Sequence, residues 1–234
     1  MRFWPLLTLV LTIAFFVAPL VTEPFSGFRD DQLPVPQADP PLQPAAYAFA
    51  IWGVIYLWLL ASALFGAWRR ADDTDWDFVR RPLCVSLVAG VPWLTVATQN
   101  ALGALALIWV MAIPAIVATL RTPESDRWWL AAPVALYAGW LTAASCVATA
   151  TVAAGYGVGP GAIGWAWFCL AIALVIALLV QRQTAPLFYG VAVAWALVGV
   201  VVKNVENAPV LAGAAALGGI LILTTGILRG RLPT

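Results

Sequence analysis

The sequence has no histidine, and only 10% of its 234 residues are charged, whereas 63% are hydrophobic. Without histidine the chain lacks the side chain that most often moves protons near neutral pH and most often binds metals. A net charge of +1, with no basic cluster among aromatic residues outside the apolar runs, argues against nucleic-acid binding. The three cysteines lie far apart inside apolar runs, without metal-ligand spacing, and are predicted to be packing residues: Cys84, Cys146 and Cys169.

What the sequence does contain is a series of long apolar runs without a single charged residue. Most reach the roughly 17–25 residues that a helix needs to cross about 30 Å of hydrocarbon. The pattern predicts an all-α polytopic membrane protein, an eight-helix transmembrane bundle. The predicted spans are residues 4–22, 46–68, 82–99, 103–120, 128–151, 162–181, 186–202 and 208–228.

The basic residues predict the orientation of these spans. If residue 1 is cytoplasmic, only Arg29 and Lys203 of the 12 basic residues fall outside. The positive-inside rule then places both termini in the cytoplasm. The first span also has the basic start and apolar stretch of a signal peptide. Its length, and the lack of a clear small-x-small cleavage site after it, favour retention as a helix.

Two loops are long enough to have a role of their own. Loop 23–45, predicted to lie outside, holds six prolines, which prevent regular helix and stiffen the chain. It is either a lid over the bundle or a plain connector. Loop 69–81, predicted to lie inside, holds four aspartates between arginine pairs. Carboxylates suit Mg²⁺ or Ca²⁺, but the spacing fits no EF-hand or DDxxD cluster. It favours acids that pair with arginines and cap the next helix: Asp72, Asp73, Asp75 and Asp77.

The chain is rich in tryptophan, with 13 in 234 residues. Five lie at or near span ends, where such rings anchor to headgroups: Trp4, Trp68, Trp76, Trp128 and Trp129. Others lie deeper, on helical faces with neighbours three or four residues apart. These stripes are Phe49, Trp52 and Tyr56; Gly90, Trp93, Ala97 and Asn100; and Pro133, Tyr137, Trp140 and Ala144. Either they converge on a flat apolar pocket with a few N–H and O–H donors, or they are ordinary packing between helices.

Two stretches resemble a known family. PAAYAFAIWGVIY at 44–56, after the proline-rich loop, and PVALYAGWLTAAS at 133–145 resemble the second and fifth helices of the tryptophan-rich sensory protein (TspO/MBR, translocator protein) family. The resemblance covers about residues 1–152, predicted to be a five-helix core. Residues 153–234 are predicted to be a three-helix extension similar to that of longer bacterial relatives, which implies a bacterial cytoplasmic membrane.

Three positions depart from the family pattern. Gly90 stands where the family's third helix usually has Asn, Thr95 where it has Pro, and Ala148 where the fifth helix has Asn. The polar groups missing from the bundle could be supplied by Gln99 and Asn100. If the missing groups help to fix a ligand or a catalytic geometry in the family, that function is either weakened in this chain or maintained by these two residues.

The resemblance implies an intramembrane cavity for a flat hydrophobic ligand, a tetrapyrrole such as protoporphyrin or haem, or a sterol-like molecule. No cofactor is required, and porphyrin or haem would be the ligand itself. The predicted partners are the lipid bilayer, this small molecule and, through small-residue faces such as Ala215 and Gly219 in the last span, a second copy of the chain. The predicted ligand-binding residues are Tyr47, Phe49, Trp52, Tyr56, Trp93, Asn100, Tyr137 and Trp140.

The function predicted is that of a receptor or carrier with a sensory or transport role. The alternatives are an uncoupled small-solute transporter, a porphyrin-degrading enzyme or a scaffold for partner proteins. Coupled transport usually needs an ionisable group in the membrane, and none is visible in the spans. Catalysis would have to rely on the buried tyrosines Tyr56 and Tyr137 as proton carriers.

Overall fold

The computed structural model describes residues 3–123, 125–184 and 187–229. Within these ranges the chain forms eight helices that are long and apolar enough to cross a membrane, and no strand. The predicted eight-helix bundle is therefore confirmed. The helices are α1 (Phe3–Val21), α2 (Ile51–Arg69), α3 (Thr74–Ala97), α4 (Ala101–Leu120), α5 (Ala132–Gly155), α6 (Gly161–Thr184), α7 (Leu187–Asn204) and α8 (Pro209–Arg229).

Three short turns complete the helical structure. Two 3₁₀ turns lie at Asp30–Gln32 and Ala46–Ala50, the second leading directly into α2. A π-helical turn at Arg127–Ala131 leads into α5. We call the end of the bundle that carries residues 22–50 the loop end. The opposite end, where α3 begins, is called the arginine end.

Helix α5 is the interior helix of the bundle, because it packs against α2, α4, α6 and α7. Its sequence consists largely of small residues, which let helix backbones approach closely. At Gly139 the backbones approach so closely that an added Cβ would lie 2.3 Å from the backbone oxygen of Tyr189 in α7. The last three helices are thus joined to the first five through α5.

Buried hydroxyl groups connect neighbouring helices. Ser86 of α3 donates to the Met111 backbone oxygen of α4 at 2.7 Å and accepts from the Tyr137 hydroxyl of α5 at 2.9 Å. Thr142 of α5 donates to its own helix and accepts from the Tyr189 hydroxyl of α7 at 2.7 Å. Such bonds fix the helices relative to one another, since a buried hydroxyl without a partner is costly.

The small-residue faces of α8 are used inside the bundle. Ala212 and Ala215 are buried, and an added Cβ at Gly218 would collide with Leu174 of α6. A Cβ at Gly219 would touch Leu197 of α7. Of the two uses that the sequence allows for these residues, the structure shows internal packing.

The predicted extent of loop 69–81 is wrong, because α3 already begins at Thr74. The Asp73 side chain caps the helix by accepting from the backbone N–H groups of Asp75 at 3.0 Å and Trp76 at 3.3 Å. Asp77 pairs with Arg80 at 2.7 Å, one turn further on. The predicted capping is therefore confirmed for Asp73 and the predicted pairing for Asp77. Both extend the helix into a segment too charged to be recognised by hydropathy.

Trp76 does not anchor to headgroups, because its side chain is only 2% exposed. Its indole N–H donates to Asp126 at 3.0 Å, and Arg70 donates twice to the same carboxylate, at 2.7 and 3.1 Å. Hydrogen bonds from Arg70, assisted by Trp76, lower the pKa of Asp126. The cluster fastens the turn before α5 to the ends of α2 and α3. By contrast, Trp68 and Trp128 are 76% and 59% exposed.

Candidate functional site

A cavity lies at the loop end of the bundle, between loop 23–45 and the helices. The empty space between its lining residues, counted together with the open solvent at its mouth, is about 580 Å³. Of the described residues that line it, none is charged, and Gln43 and Thr151 are among the few polar ones. Small side chains from α5 and α7, such as Ala144 and Ala196, leave the space open. The aromatic lining residues are Phe25, Phe28, Phe49, Trp52, Trp93 and Trp140.

Four of the eight predicted ligand-binding residues meet at this cavity. Phe49 approaches it from the 3₁₀ turn before α2, Trp52 from the start of α2, Trp93 from α3 and Trp140 from α5. The Trp140 ring meets Phe49 and Trp52 edge to face, with centroids 5.9 and 6.2 Å apart. Because these rings already touch, a flat ligand has to enter beside them or separate them.

The two predicted tyrosines lie behind the cavity rather than in its lining. Tyr56 stacks on Trp52 at 5.3 Å, and both tyrosine rings contact Phe15 of α1, Tyr56 at 4.9 Å and Tyr137 at 5.7 Å. The Tyr137 hydroxyl is engaged with Ser86. The tyrosines therefore support the aromatic wall from the interior of the bundle.

Two predicted site residues lie elsewhere. Asn100 is exposed and caps α4, its side-chain oxygen accepting from the Gly103 backbone N–H at 2.8 Å. Tyr47 is 43% exposed and meets Trp195 of α7 at 5.7 Å. Neither belongs to the lining of the cavity. For the four residues that do, a role in binding remains a prediction.

Sequence reasoning allowed loop 23–45 to be a lid but did not identify the loop residues that line the cavity. Phe25, Phe28 and Gln43 all line it, and Phe25 meets Trp93 at 5.2 Å. Next to them Gly27 has a φ of +137°, and a Cβ there would lie 2.9 Å from the Gln43 amide. An irregular loop has no periodicity that could place these residues. The available signal was the presence of phenylalanines in an otherwise polar and proline-rich segment.

The loop is fastened to the ends of three helices. The Gln32 amide donates to the Ala97 backbone oxygen of α3 at 2.9 Å, and the Val35 N–H to the last residue of α5 at 2.8 Å. On α7, Lys203 pairs with Asp39 at 2.7 Å and Asn204 donates to the loop backbone at 2.8 Å. The loop therefore covers the cavity, as the lid interpretation expects, rather than merely joining α1 to α2.

Trp140, one of the residues that line the cavity, has a buried hydrogen-bond donor without a partner. Its side chain is 2% exposed, and its Nε1 has no hydrogen-bond partner among the described residues. Other tryptophans within the spans are satisfied: the buried Trp93 donates to the Ala104 oxygen at 3.0 Å, and the partly exposed Trp195 donates to the Ala48 oxygen at 2.9 Å. A buried donor left without an acceptor costs about 1–3 kcal/mol. An acceptor on a bound molecule would remove that cost.

Comparison with known proteins identifies one family that the chain matches. A family model described as TSPO-like protein matches residues 5–228. The match runs from α1 through α8, beyond the 1–152 stretch that carries the resemblance. No curated protein and no solved structure matches the chain. The division at residues 152 and 153 stays a prediction, and Ala196 of α7 lines the same cavity as the residues of the first five helices.

Proposed function

Since the chain belongs to the TSPO-like family, we propose that this integral, multi-pass membrane protein binds a flat hydrophobic ligand in the cavity at its loop end. The ligand class is a tetrapyrrole such as protoporphyrin or haem, or a sterol-like molecule. The protein acts as a receptor or carrier in a bacterial cytoplasmic membrane, with the arginine end and both termini cytoplasmic. No further cofactor is needed.

The observation that carries this proposal is the unpartnered Trp140 N–H in an apolar, aromatic wall. Apolar burial stabilises such a complex by about 25 cal/mol per Å², and each well-placed ring adds about 1 kcal/mol. The N–H supplies orientation by selecting a ligand with an acceptor at one edge. Carboxylates of a tetrapyrrole would stay at the loop end, because the described lining residues are uncharged.

The test is a titration of the purified full-length protein with protoporphyrin, followed by quenching of intrinsic fluorescence. Trp140→Phe keeps an aromatic ring but removes the donor. It should weaken binding and raise the dissociation constant by about 2–10-fold, as expected for the loss of one neutral hydrogen bond. Trp140→Ala should weaken it further. Trp128→Phe and Trp128→Ala, at the opposite end of the bundle, are the matched controls and should bind normally. Equal effects at the two positions would contradict the placement of the site.

Two further measurements on the same purified protein distinguish ligand binding from ligand transport and from ligand degradation. The protein is reconstituted in liposomes that contain serum albumin, and the rate at which protoporphyrin reaches the albumin is measured. A carrier makes this transfer faster than in liposomes without protein, whereas a receptor does not. Absorbance recorded in light and in darkness reports whether the bound porphyrin is consumed. Loss of absorbance that requires the protein would favour the enzyme over the receptor.

A further inference from the structure

An exposed surface that combines arginines with apolar side chains lies on α3, at the arginine end of the bundle and away from the cavity. Phe78, Arg81, Val85 and Val88 follow one another at intervals of three, four and three residues, so they share one face of the helix. The face points out of the bundle, with Phe78 51%, Val85 52% and Val88 57% exposed. It begins at the charged first turns of α3 and continues along the apolar part of the helix.

Two arginines meet on this face. The Arg81 guanidinium lies over the Trp4 ring of α1, 5.6 Å from its centroid. The Arg121 guanidinium, from the end of α4, lies over the Phe78 ring at 4.4 Å. Because Phe78 and Arg81 are neighbours on one helix face, both cations belong to the same patch of surface.

Neither arginine has a carboxylate partner among the described residues, because no ion pair there involves Arg81 or Arg121. The adjacent Arg80 behaves differently, since its side chain is buried and paired with Asp77 at 2.7 Å. The aromatic rings hold the two free guanidinium groups by cation–π contact and leave their N–H donors available. Guanidinium groups bind phosphate oxygens well, because their fork of donors matches phosphate geometry.

We propose that this face of α3 binds one acidic phospholipid. Arg81 and Arg121 hold the phosphate at the level of the headgroups, and one acyl chain lies along Val85 and Val88. From Arg81 to Val88 this face runs about 10 Å toward the middle of the membrane, because each helix residue advances about 1.5 Å. That is the direction an acyl chain takes from its headgroup.

The charge of the arginine end favours an acidic lipid over a zwitterionic one. Counted over the described residues, this end carries eight arginines against five aspartates. Such an excess attracts anionic headgroups and repels the ammonium of a zwitterionic lipid. Asp75, one turn before Phe78, is the exposed carboxylate nearest along this face, and a lipid ammonium could reach it. Phosphatidylethanolamine is therefore the sharpest competitor in the test.

The experiment measures retention of added phosphatidylglycerol by the purified full-length protein in mild detergent, using native mass spectrometry. The variant Arg81→Gln/Arg121→Gln should bind the lipid about 25-fold more weakly, from about fivefold for each arginine near an acidic headgroup. Arg127→Gln is the matched control: it removes an exposed arginine at the same end, one that lies over Trp128 at 5.9 Å and not over Phe78. It should leave binding within about twofold of the original.

The alternatives give different results. Equal losses in Arg127→Gln and in the double variant would mean that only the overall charge matters, and would overturn the site. Equal retention of phosphatidylethanolamine or phosphatidylcholine would overturn the selectivity for acidic lipids. Inorganic phosphate at 10-fold excess should not displace the lipid, because it has no chain to lie on the valines; full displacement would reduce the site to an anion site. Size-exclusion profiles and protoporphyrin titration confirm that the double variant is folded, and they keep this test separate from that of the cavity.

Discussion

Replacing Gly139 with alanine tests the close packing of α5 against α7. The added Cβ would lie 2.3 Å from the Tyr189 backbone oxygen and 3.0 Å from the Ala192 Cβ. An ordinary contact to that oxygen needs at least 3.4 Å, so the two helices would have to separate locally by about 1 Å. Backbone atoms cannot move aside as a flexible side chain can.

The cost has two parts. Overpacking of a well-packed core costs about 1–3 kcal/mol. Separation of the helices also stretches the 2.7 Å bond between Thr142 and Tyr189, which lies one turn along α5 from Gly139. Loss of that bond adds about 1 kcal/mol. We therefore expect Gly139→Ala to lower the free energy of unfolding by about 2–4 kcal/mol and the melting temperature by on the order of 10 °C.

The buried thiols provide the assay. Cys84, Cys146 and Cys169 are free and at most 4% exposed, so a thiol-reactive fluorescent dye reacts with them only as the bundle opens. The matched control is Gly53→Ala in α2, where an added Cβ meets no atom within 4 Å. It should melt at the original temperature or slightly above, since alanine favours helix over glycine. If Gly139→Ala melts together with Gly53→Ala, the close approach of α5 and α7 is not as described.

Two further predictions concern the ends of the bundle. Asp126→Asn should destabilise the protein by about 2 kcal/mol at pH 7, because it weakens the bonds from Arg70 and Trp76. Since the folded pKa of Asp126 is lowered, its carboxylate stabilises the fold above the unfolded pKa of about 4, and the deficit of the variant should shrink as the pH falls below that value. Melting followed by circular dichroism at pH 3.5 and 7 would show this, and an equal deficit at both would contradict it. Lys203→Met removes the ion pair with the exposed Asp39 and should change the free energy of unfolding by less than about 1 kcal/mol. It should nevertheless speed amide hydrogen exchange in residues 35–45 at the loop end. Unchanged exchange would mean that Lys203 does not fasten the loop.

Hydropathy was enough to predict the number and approximate bounds of the helices, because each span is apolar over a membrane-spanning length, whether it faces lipid or, like α5, the interior of the bundle. It failed at the start of α3. There, Asp73 as a cap and Asp77 paired with Arg80 stabilise two helical turns through local polar bonds, which a measure of hydrophobicity counts against a span. Trp76 was misjudged because it lies near the end of a span in the sequence but at a buried position in this bundle.

Periodicity predicted the helical part of the cavity but not its depth or its cover. Spacing correctly placed Phe49 and Trp52 on one face, yet Tyr56 on that same face lies behind the cavity, because a stripe of rings is longer than the cavity it borders. Asn100 looked like a replacement for a missing polar group and is instead a helix cap. The contribution of Phe25 depends on how an irregular loop folds back, which depends on long-range bonds to three helix ends that no local pattern encodes.

The interior position of α5 limits how this protein could be shortened. A chain ending after residue 155 would present Gly139 and Thr142 to hydrocarbon and would leave the hydroxyl of Thr142 without its partner from α7. Such a variant would need bulkier, fully apolar replacements along that side of α5 before it could stand alone. Gain or loss of the last three helices in this lineage is therefore expected to be accompanied by coordinated substitutions in α5, not by a simple cut at a loop.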